Sequence, residues 1–452
     1  MFEITMIFTA LTLLLGIYIS NKMGTKPNGN MILGLRLPPE AMENAAVTQI
    51  ARDFARANNA ITLVLLLLAI PFGLLPYVSL SMIYLVAWSA LAFALYGLGL
   101  GKYYDALREL KQQNQWWAGD AQIIYIDTEV SRLKGSYPIS RWWYVLPVAL
   151  AALPFIVANG GDGATYLGFA ILGALGVLWA WGLSFMGRKA TVYSSKTEIN
   201  QHLNRLYQRE WSKYWLCMAL AHSGVMTLLC WLVHHQAHVP WAVMALVFTL
   251  AIAIIAPAIF THSKIRQERN RLLQWTDTYT DQDIYWHRGI YNNPNDSNWF
   301  VEKRIGIGMT INMGKRGAKA IIFALIGGSA LLVLGLGIYL LPLDFGSIAI
   351  ETSPEHLTIQ APFGGYNVYV RDIKSIALVD TLPTATRTRA ATGHRLMVGR
   401  FWVIGHGESH VFVHRDSLPV IVLELPEGHV FVNTGVGEDT VALYHWLRGL
   451  MP

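Results

Sequence analysis

The sequence has few charged residues for its length, and this scarcity sets the class of the protein. Of its 452 residues, 14% are charged and 53% are hydrophobic. A soluble globular chain usually carries about 25% charged residues, so a soluble fold of this composition would lack polar cover. The composition therefore excludes an ordinary soluble protein and predicts an integral membrane protein.

Cysteine is also scarce. The chain has two, Cys217 and Cys230, which lie thirteen residues apart in one apolar run. On a helix their Cα atoms would be about 20 Å apart, whereas those of a disulfide lie about 5.5 Å apart. A helix here excludes a disulfide between them, and two thiols are too few for a cysteine metal site.

The common catalytic signatures are absent from the sequence. It has no HExxH motif, no Walker-type glycine loop, no GxSxG motif and no paired aspartates within its apolar runs. Such motifs place a metal, a phosphate or a nucleophile beside the groups that activate it. We therefore expect no enzymatic activity, no cofactor and no metal.

Long apolar runs fill most of residues 1–341. A hydrocarbon layer about 30 Å thick needs about 20 helical residues, because unpaired backbone groups are costly in lipid. Eight runs qualify, so the sequence predicts an α-helical integral membrane bundle of eight transmembrane helices. The predicted spans are Ile4–Ser20, Ala60–Tyr77, Ser81–Gly101, Trp142–Ala158, Thr165–Gly187, Trp215–His234, Trp241–Thr261 and Ala320–Leu341.

The basic residues predict the orientation of these spans. Four connections carry 27 of the 35 Lys and Arg residues, and the three short connections carry none. Basic connections stay in the cytoplasm, so both termini are predicted to be extracytoplasmic in a bacterial cytoplasmic membrane. The net charge of +6 is thus a topology signal. We expect the lipid bilayer, and no nucleic acid, as a partner.

A polar, turn-rich stretch, Ile284–Asn312, precedes the last predicted span within a predicted cytoplasmic region, 277–319. Its turn cluster contains the candidate functional residues Asn292, Asn293 and Asp296, and Arg304 follows in a Val-Glu-Lys-Arg run. The stretch could read a ligand, or it could be a structural motif that docks on the helices. The second interpretation is favoured, because polar turn clusters more often serve structure.

After Leu341 the apolar pattern alternates, which predicts a small, mostly β extracytoplasmic domain, 342–452, that ends in a short helix, Glu438–Leu450. A basic segment, Thr381–Gly399, is predicted to be a loop that interrupts the strands. The candidate residues in or beside it are Arg387, Arg389, Arg395 and Arg400. They could meet anionic lipid, an anionic wall polymer or an acidic peptide, or they could simply be solvated.

Histidines occur both within a predicted span and on a predicted strand. His222 lies in the middle of a predicted span, where an ionisable group is a functional candidate, although a neutral histidine bonded to a neighbouring helix is an equal alternative. His410 and His414 lie on one predicted strand, about 13 Å apart at roughly 3.3 Å per residue. They are too far apart to share a metal ion, so they are interpreted as ordinary surface or groove residues.

Two stretches, Ile32–Ala57 and Tyr291–Asn312, resemble signatures of a group of uncharacterised bacterial multi-spanning membrane proteins whose helical hairpins are akin to those of immunity proteins against secreted peptide toxins. The tail from Ile348 resembles their bacterial pleckstrin-homology-like domain, chiefly in Val398-Gly399-Arg400-Phe401 and Val411-Phe412-Val413-His414. The Pro-x-His element frequent in the outer turn of such hairpins is absent after Leu153-Pro154. The resemblance implies a membrane location and a recognition role.

Together these observations predict a non-enzymatic envelope protein that recognises a secreted peptide, an anionic envelope polymer or a partner membrane protein, in immunity, sensing or assembly. The alternative is a transporter or flippase-like protein that uses the helical hairpins and His222. Prolines within the predicted spans, such as Pro154 and Pro257, favour that alternative, because broken helices often line transport sites.

Overall fold

A computed structural model describes the chain apart from residues 1, 29, 118–138, 158–162, 186–192, 195, 235–239, 274–281, 297, 382–384 and 452. Part of the predicted cytoplasmic region 277–319 and part of the predicted loop Thr381–Gly399 therefore lie outside the described residues. The side chain of Arg387 does as well.

Helices make up most of the chain before residue 346. The described helices are α1 Phe2–Gly24, α2 Pro39–Met42, α3 Ala45–Leu67, α4 Pro71–Leu74, α5 Val78–Gln113, α6 Val145–Val157, α7 Gly163–Phe185, α8 Thr197–His234, α9 Pro240–Leu273, α10 Arg316–Phe345 and α11 Gly437–Leu450. Short 3₁₀ turns cover Arg141–Tyr144, Gln282–Tyr285 and Val370–Asp372.

Six helical segments in the described part of the chain are long and apolar enough to cross a membrane. They are Glu3–Gly24, Ala45–Leu74, Val78–Gln113, Tyr166–Ser184, Thr197–Leu232 and Arg316–Phe345. Each exceeds the roughly 18 residues that a spanning helix needs. Several apolar helices of this length indicate a membrane-embedded protein.

These six segments correspond to the first, second, third, fifth, sixth and eighth predicted spans. The fourth predicted span falls in a shorter apolar helical segment, Arg141–Ile156. The seventh falls in α9, where the side chains of residues 240–244, 247 and 248 are not described. A total of eight spans therefore stays a prediction.

The chain divides into two compact units. The first, called the loop-bearing unit, comprises Thr12–Leu65 and Ala92–Ala324. The second, called the β-rich unit, comprises Phe2–Leu11, Leu66–Leu91 and Leu325–Pro452. The β-rich unit thus contains segments of the apolar helices as well as the C-terminal strands.

Strands are short in the loop-bearing unit and longer in the β-rich unit. The described strands are β1 Met31–Ile32, β2 Leu35–Arg36, β3 Trp286–His287, β4 Ile290–Tyr291, β5 Phe300–Glu302, β6 Met309–Ile311, β7 Ala349–Thr352, β8 His356–Ala361, β9 Gly364–Tyr369, β10 Ser375–Val379, β11 Ala385–Thr392, β12 Leu396–Val403, β13 Gly407–His414, β14 Val420–Leu425 and β15 Gly428–Val432.

Two sheets form the β-rich C-terminal region. The smaller is antiparallel, with the order β7-β8-β9. The larger has the order β10-β14-β15-β13-β12-β11, and only the β13–β15 pair is parallel among its described pairs. The closing helix α11, which the sequence predicts over Glu438–Leu450, buries Leu443 and Leu447.

The larger sheet buries apolar side chains on both faces. Alternate residues of a strand point to opposite faces, so Val398 and Phe412 join one core cluster while Phe401 and Val411 join another. The first cluster also includes side chains of the smaller sheet and of α11. Burial on both faces explains why β14 reads as an almost continuous apolar run, VIVLEL.

The prediction of a loop over Thr381–Gly399 is wrong for the residues that the structure describes. Strand β11 and the start of β12 occupy most of this segment. Strand β11 has the sequence ATRTRAAT and lies at one end of the strand order. Among its described side chains, the ones that pack against the core clusters are alanines, namely Ala385, Ala390 and Ala391. A strand that buries so little carries no alternating apolar pattern, and this is why the sequence reads as a loop.

A buried carboxylate ties three parts of the β-rich unit together. Asp344, which is fully buried near the end of α10, accepts hydrogen bonds from the backbone N and Oγ of Ser79 at 2.8 and 2.6 Å. Its other oxygen accepts the backbone N–H of His394 at 2.7 Å. Ser79 lies in the first turn of α5, where backbone N–H groups lack helical partners. Asp344 therefore caps α5 and fixes the β11–β12 turn to α10.

Replacing this carboxylate should destabilise the protein measurably. We expect Asp344→Ala to lower the free energy of unfolding by about 3 kcal/mol, because the two buried donors of Ser79 and the part-buried N–H of His394 lose their acceptor. Denaturation of the full chain in detergent micelles, followed by tryptophan fluorescence, would measure the change. The matched control is Asp372→Ala, since that side chain is 46% exposed. Equal effects of the two substitutions would contradict a structural role for Asp344.

Candidate functional site

The polar stretch Ile284–Asn312 folds into two small β ladders in the loop-bearing unit. Strands β3 and β4 form a tight hairpin in which Arg288 and Gly289 both have positive φ, 49° and 81°. Such a turn matches the natural twist of a hairpin, and glycine meets its second positive φ without strain. Strands β5 and β6 form the second ladder. The stretch is thus an ordered part of the fold.

One buried side chain, Asn312, organises the turn between these ladders. Its Oδ1 accepts hydrogen bonds from the backbone N–H groups of Asn293 and Gly314, at 3.0 and 2.9 Å. Its Nδ2 donates to the carbonyl oxygens of Asn293 and Asn298, at 2.8 and 3.1 Å. The amide therefore pairs with the loop backbone much as another peptide group would.

The candidate residues Asn293 and Asp296 also use their polar atoms inside the loop. Tyr291 donates its hydroxyl proton to Asp296 at 2.9 Å, and Asn293 Nδ2 donates to the Tyr291 oxygen at 3.2 Å. Burial, together with the Asp296 carboxylate, raises the pKa of Tyr291 well above its usual range, so the phenol stays protonated. The side chain of Asn292 is exposed, and its backbone N–H donates to the carbonyl oxygen of Tyr285 at 2.8 Å. These contacts support the structural interpretation of the cluster.

A buried ion-pair node fixes the same loop to α5. Asp283 Oδ2 accepts a hydrogen bond from Lys111 Nζ at 2.7 Å, and Oδ1 accepts one from Arg304. The Lys111 side chain is 2% exposed and that of Arg304 is 6% exposed. Burial alone would raise the pKa of Asp283, but the charges of Arg304 and Lys111 outweigh it and hold the pKa below its ordinary value. Asp283 is therefore an ionised structural carboxylate at neutral pH.

The candidate residue Arg304 is central to this node. Besides Asp283, it donates to the carbonyl oxygen of Gly34 at 2.9 Å, and its guanidinium lies 4.9 Å from the ring centroid of Trp286. The backbone N–H of Arg36 completes the node by donating to Asp283 at 3.2 Å. Arg304 thus joins the β1–β2 hairpin to the polar stretch and is too enclosed to present its charge to a ligand.

His222 lies on α8 against a glycine of α7. Its Nε2 donates to the carbonyl oxygen of Leu172 at 3.1 Å. A Cβ atom at Gly176 would lie 2.1 Å from the His222 ring, so glycine leaves the space that the imidazole occupies. Small residues and inter-helical hydrogen bonds of this kind hold apolar helices together. The contacts of His222 thus support helix packing, one of the two interpretations of the sequence.

Two of the four candidate arginines come together on the larger sheet. Arg389 on β11 lies opposite Arg400 on β12, and Arg400 lies opposite His410 on β13. Side chains of directly opposed residues share a face of the sheet, about 5 Å apart at their Cβ atoms. We call these three residues the basic row. Two like charges in direct opposition cost stability, so the row is unfavourable for the fold by itself.

The basic row is open to solvent on its arginine side. Arg389 and Arg400 are both exposed, and among the described residues neither has a carboxylate within ion-pair distance. The His410 ring stacks on Tyr366 of β9, with centroids 4.2 Å apart. Burial is the main cause that lowers the pKa of His410, and the Arg400 charge is the second. Together they outweigh the carboxylates of Glu408 and Glu427, which raise it. At neutral pH the charge of the row is therefore carried by its two arginines.

The other two candidate arginines do not join the basic row. Arg395 lies in the turn of the β11–β12 hairpin, where its Nε is 3.6 Å from Asp416. Arg387 lies on β11 opposite Phe401, one position before a bulge in the register. Its side chain lies outside the described residues. The sequence thus indicates the basic segment but not which arginines become neighbours.

The sequence pattern does not identify His410 as a member of the row, nor does it identify the partners of Asp283 and Asp344. Lys111 and Asp283 are 172 positions apart, and Ser79 and Asp344 are 265 apart. No local pattern connects residues so distant in sequence. An available signal for His410 was its place two residues before Phe412 on an alternating strand, which puts both on one face.

Comparison with known proteins gives a local match in the loop-bearing unit. The model of DUF5808, a family of unknown function, matches residues 294–319. This segment includes Asp296, Arg304 and Asn312 and continues into the first residues of α10. No curated protein and no solved structure matches the chain. The match covers a small part of the chain and carries no activity with it.

The buried node can be tested against an exposed ion pair on the same helix. We expect Asp283→Ala to lower the free energy of unfolding by about 3 kcal/mol, because it leaves two buried cations without their shared carboxylate. Asp105→Ala breaks the pair with Arg288, whose side chain is 46% exposed, and should have a much smaller effect. Denaturant titration in detergent would compare them. A larger loss for Asp105→Ala would contradict the assignment of Asp283 as the anchor.

Proposed function

We propose that the chain is a non-enzymatic, multi-pass membrane protein of the bacterial envelope that recognises a peptide or another envelope component through its β-rich C-terminal region. The observation that carries the proposal is the basic row. Two exposed arginines in direct opposition, without a described carboxylate partner, form a surface that an anionic ligand would stabilise.

The chemistry of the row favours binding over catalysis. Arginine guanidinium groups stay protonated at any physiological pH and recognise carboxylate or phosphate oxygens through paired hydrogen bonds. The neighbouring His410 has a lowered pKa and is occupied by stacking on Tyr366. A surface of this kind attracts and orients an anion. The role of such recognition would be immunity, sensing or assembly with partner membrane proteins.

The proposal includes a finer architecture. In it, eight helices span the bacterial cytoplasmic membrane, and the C-terminal domain has a pleckstrin-homology-like fold on the extracytoplasmic side. Two sheets closed by a C-terminal helix are consistent with such a domain. The placement of Lys and Arg in alternate connections supports the orientation. Ligands would then come from outside the cell.

Cysteine labelling in intact cells would test the location on which this function depends. Cys217 and Cys230 are first replaced by serine. Glu355→Cys then probes an exposed turn of the β-rich unit, and Glu109→Cys probes an exposed position on α5 in a predicted cytoplasmic connection. We expect a membrane-impermeant maleimide to label Glu355→Cys on intact cells and Glu109→Cys only after lysis, because basic connections stay inside.

Each position serves as the accessibility control for the other, because both are exposed in the structure and both variants replace a glutamate. Labelling of Glu109→Cys on intact cells, with Glu355→Cys protected until lysis, would put the β-rich region in the cytoplasm. The proposed recognition of an extracytoplasmic component would then be wrong.

A further inference from the structure

Strand β11 forms one end of the six-stranded sheet. Its described strand partner is β12, and no described strand pairs with its other side. An edge strand presents a row of backbone N–H and C=O groups that can pair with another chain. The edge is eight residues long, from Ala385 to Thr392, which is enough for several such bonds.

The residues of β11 and of its neighbour β12 form a surface that is cationic at one register position and aromatic at another. Arg389 and Arg400 make one register row, and Thr386 and Trp402 make another. Arg400 and Trp402 are two residues apart on β12, so their side chains share a face. Trp402 is 50% exposed. A cationic row thus lies beside an aromatic side chain at the open end of the sheet.

We propose that β11 binds an acidic peptide in an extended conformation, added as a further strand of the sheet. A carboxylate of the peptide lies beside the Arg389–Arg400 row, and an apolar side chain two residues away lies on the side of Trp402. This inference rests on the proposed recognition function and specifies its ligand. Backbone hydrogen bonds supply affinity in this binding mode, and alternate side chains supply specificity.

The charges next to the surface favour this pattern over its reverse. Trp402 lies opposite Glu408 on β13, so a peptide carboxylate on the tryptophan side would approach another carboxylate. On the arginine side, the two guanidinium groups have no described carboxylate partner. A peptide carboxylate there removes the repulsion between them. Acidic and apolar side chains are thereby directed to different rows.

The same charges disfavour a second copy of the chain as the occupant. Pairing of β11 with β11 of another molecule would bring Arg387 and Arg389 of each copy to one seam. Like charges on adjacent strands are destabilising. Natural proteins use charged edge residues to prevent such pairing. A strand of opposite charge gains from the arginines that would repel an identical strand.

Peptide binding to the purified full chain in detergent would test the inference. The probe is a fluorescein-labelled TTTETLTTT peptide, in which Glu and Leu occupy alternate positions and share a face of a strand. In TTTTELTTT they are adjacent and face opposite ways. We expect the first peptide to bind at least 10-fold more tightly in fluorescence anisotropy at low salt, and its Glu→Gln version to lose a similar factor.

Variants of the protein connect this binding to the basic row. Arg389→Gln and Arg400→Gln should each weaken binding of TTTETLTTT about 10-fold, because each removes a charge-assisted hydrogen bond. The matched control is Arg448→Gln, which removes an exposed arginine from α11 and should leave the affinity unchanged. Unfolding midpoints of the variants would verify that each one is folded.

Backbone methylation of the peptide separates strand addition from simple charge attraction. In an edge pairing only alternate N–H groups of the added strand face the sheet. N-methylation of one alternating set of amides should abolish binding, and methylation of the other set should preserve it. This difference between the two sets would not arise for a peptide held by its carboxylate alone.

Three outcomes would overturn the inference. If both methylated peptides bind and the arginine variants still weaken binding, the proposed recognition stands but strand addition is wrong. If neither the peptide nor polyglutamate binds, recognition of anionic peptides by this surface is wrong as well. If the full chain is a dimer that Thr388→Cys cross-links through β11, and no peptide binds, a second copy occupies the edge.

Discussion

A hydrocarbon layer holds no water to pair with backbone N–H and C=O groups, and this determines the helical architecture of the apolar segments. It requires each backbone polar group in a spanning segment to pair within its own helix, so polar contacts between one helix and another must come from side chains. The polar contacts that specify the fold are concentrated in a few buried side chains. Asp283 in the loop-bearing unit and Asp344 in the β-rich unit each join segments that lie far apart in the sequence.

Both carboxylates are stabilised away from water by hydrogen bonds, but the donors differ. Asp283 is held by two buried cations, and the free energy of desolvating three charges is offset by their mutual attraction. Asp344 is held by a serine at the start of α5 and by a backbone amide. In both cases the neighbours of the carboxylate explain why it is enclosed by protein. By contrast, Arg389 and Arg400 are exposed and have no described carboxylate partner.

Long apolar runs and the change from helical to alternating periodicity could be predicted from the sequence, because both follow from local geometry. Strand β11 could not, since an edge strand of Thr, Arg and Ala buries too little to show a pattern. The role of Arg304 could not either, because its partners come from Gly34, Asp283 and Trp286. The sequence identified Arg389 and Arg400 as candidates, but their opposition depends on a bulge in the strand register.

The last apolar helix, α10, bears on how the protein reaches the membrane. It is the most apolar of the six long segments, and large apolar side chains such as Phe323 and Leu331 are more than half exposed along it. Because protein covers little of this surface, the segment is apolar enough to partition into a bilayer on its own hydrophobicity. A segment of this kind does not need contacts with the earlier helices to be stable in lipid, and it tethers the β-rich strands that follow it in the sequence.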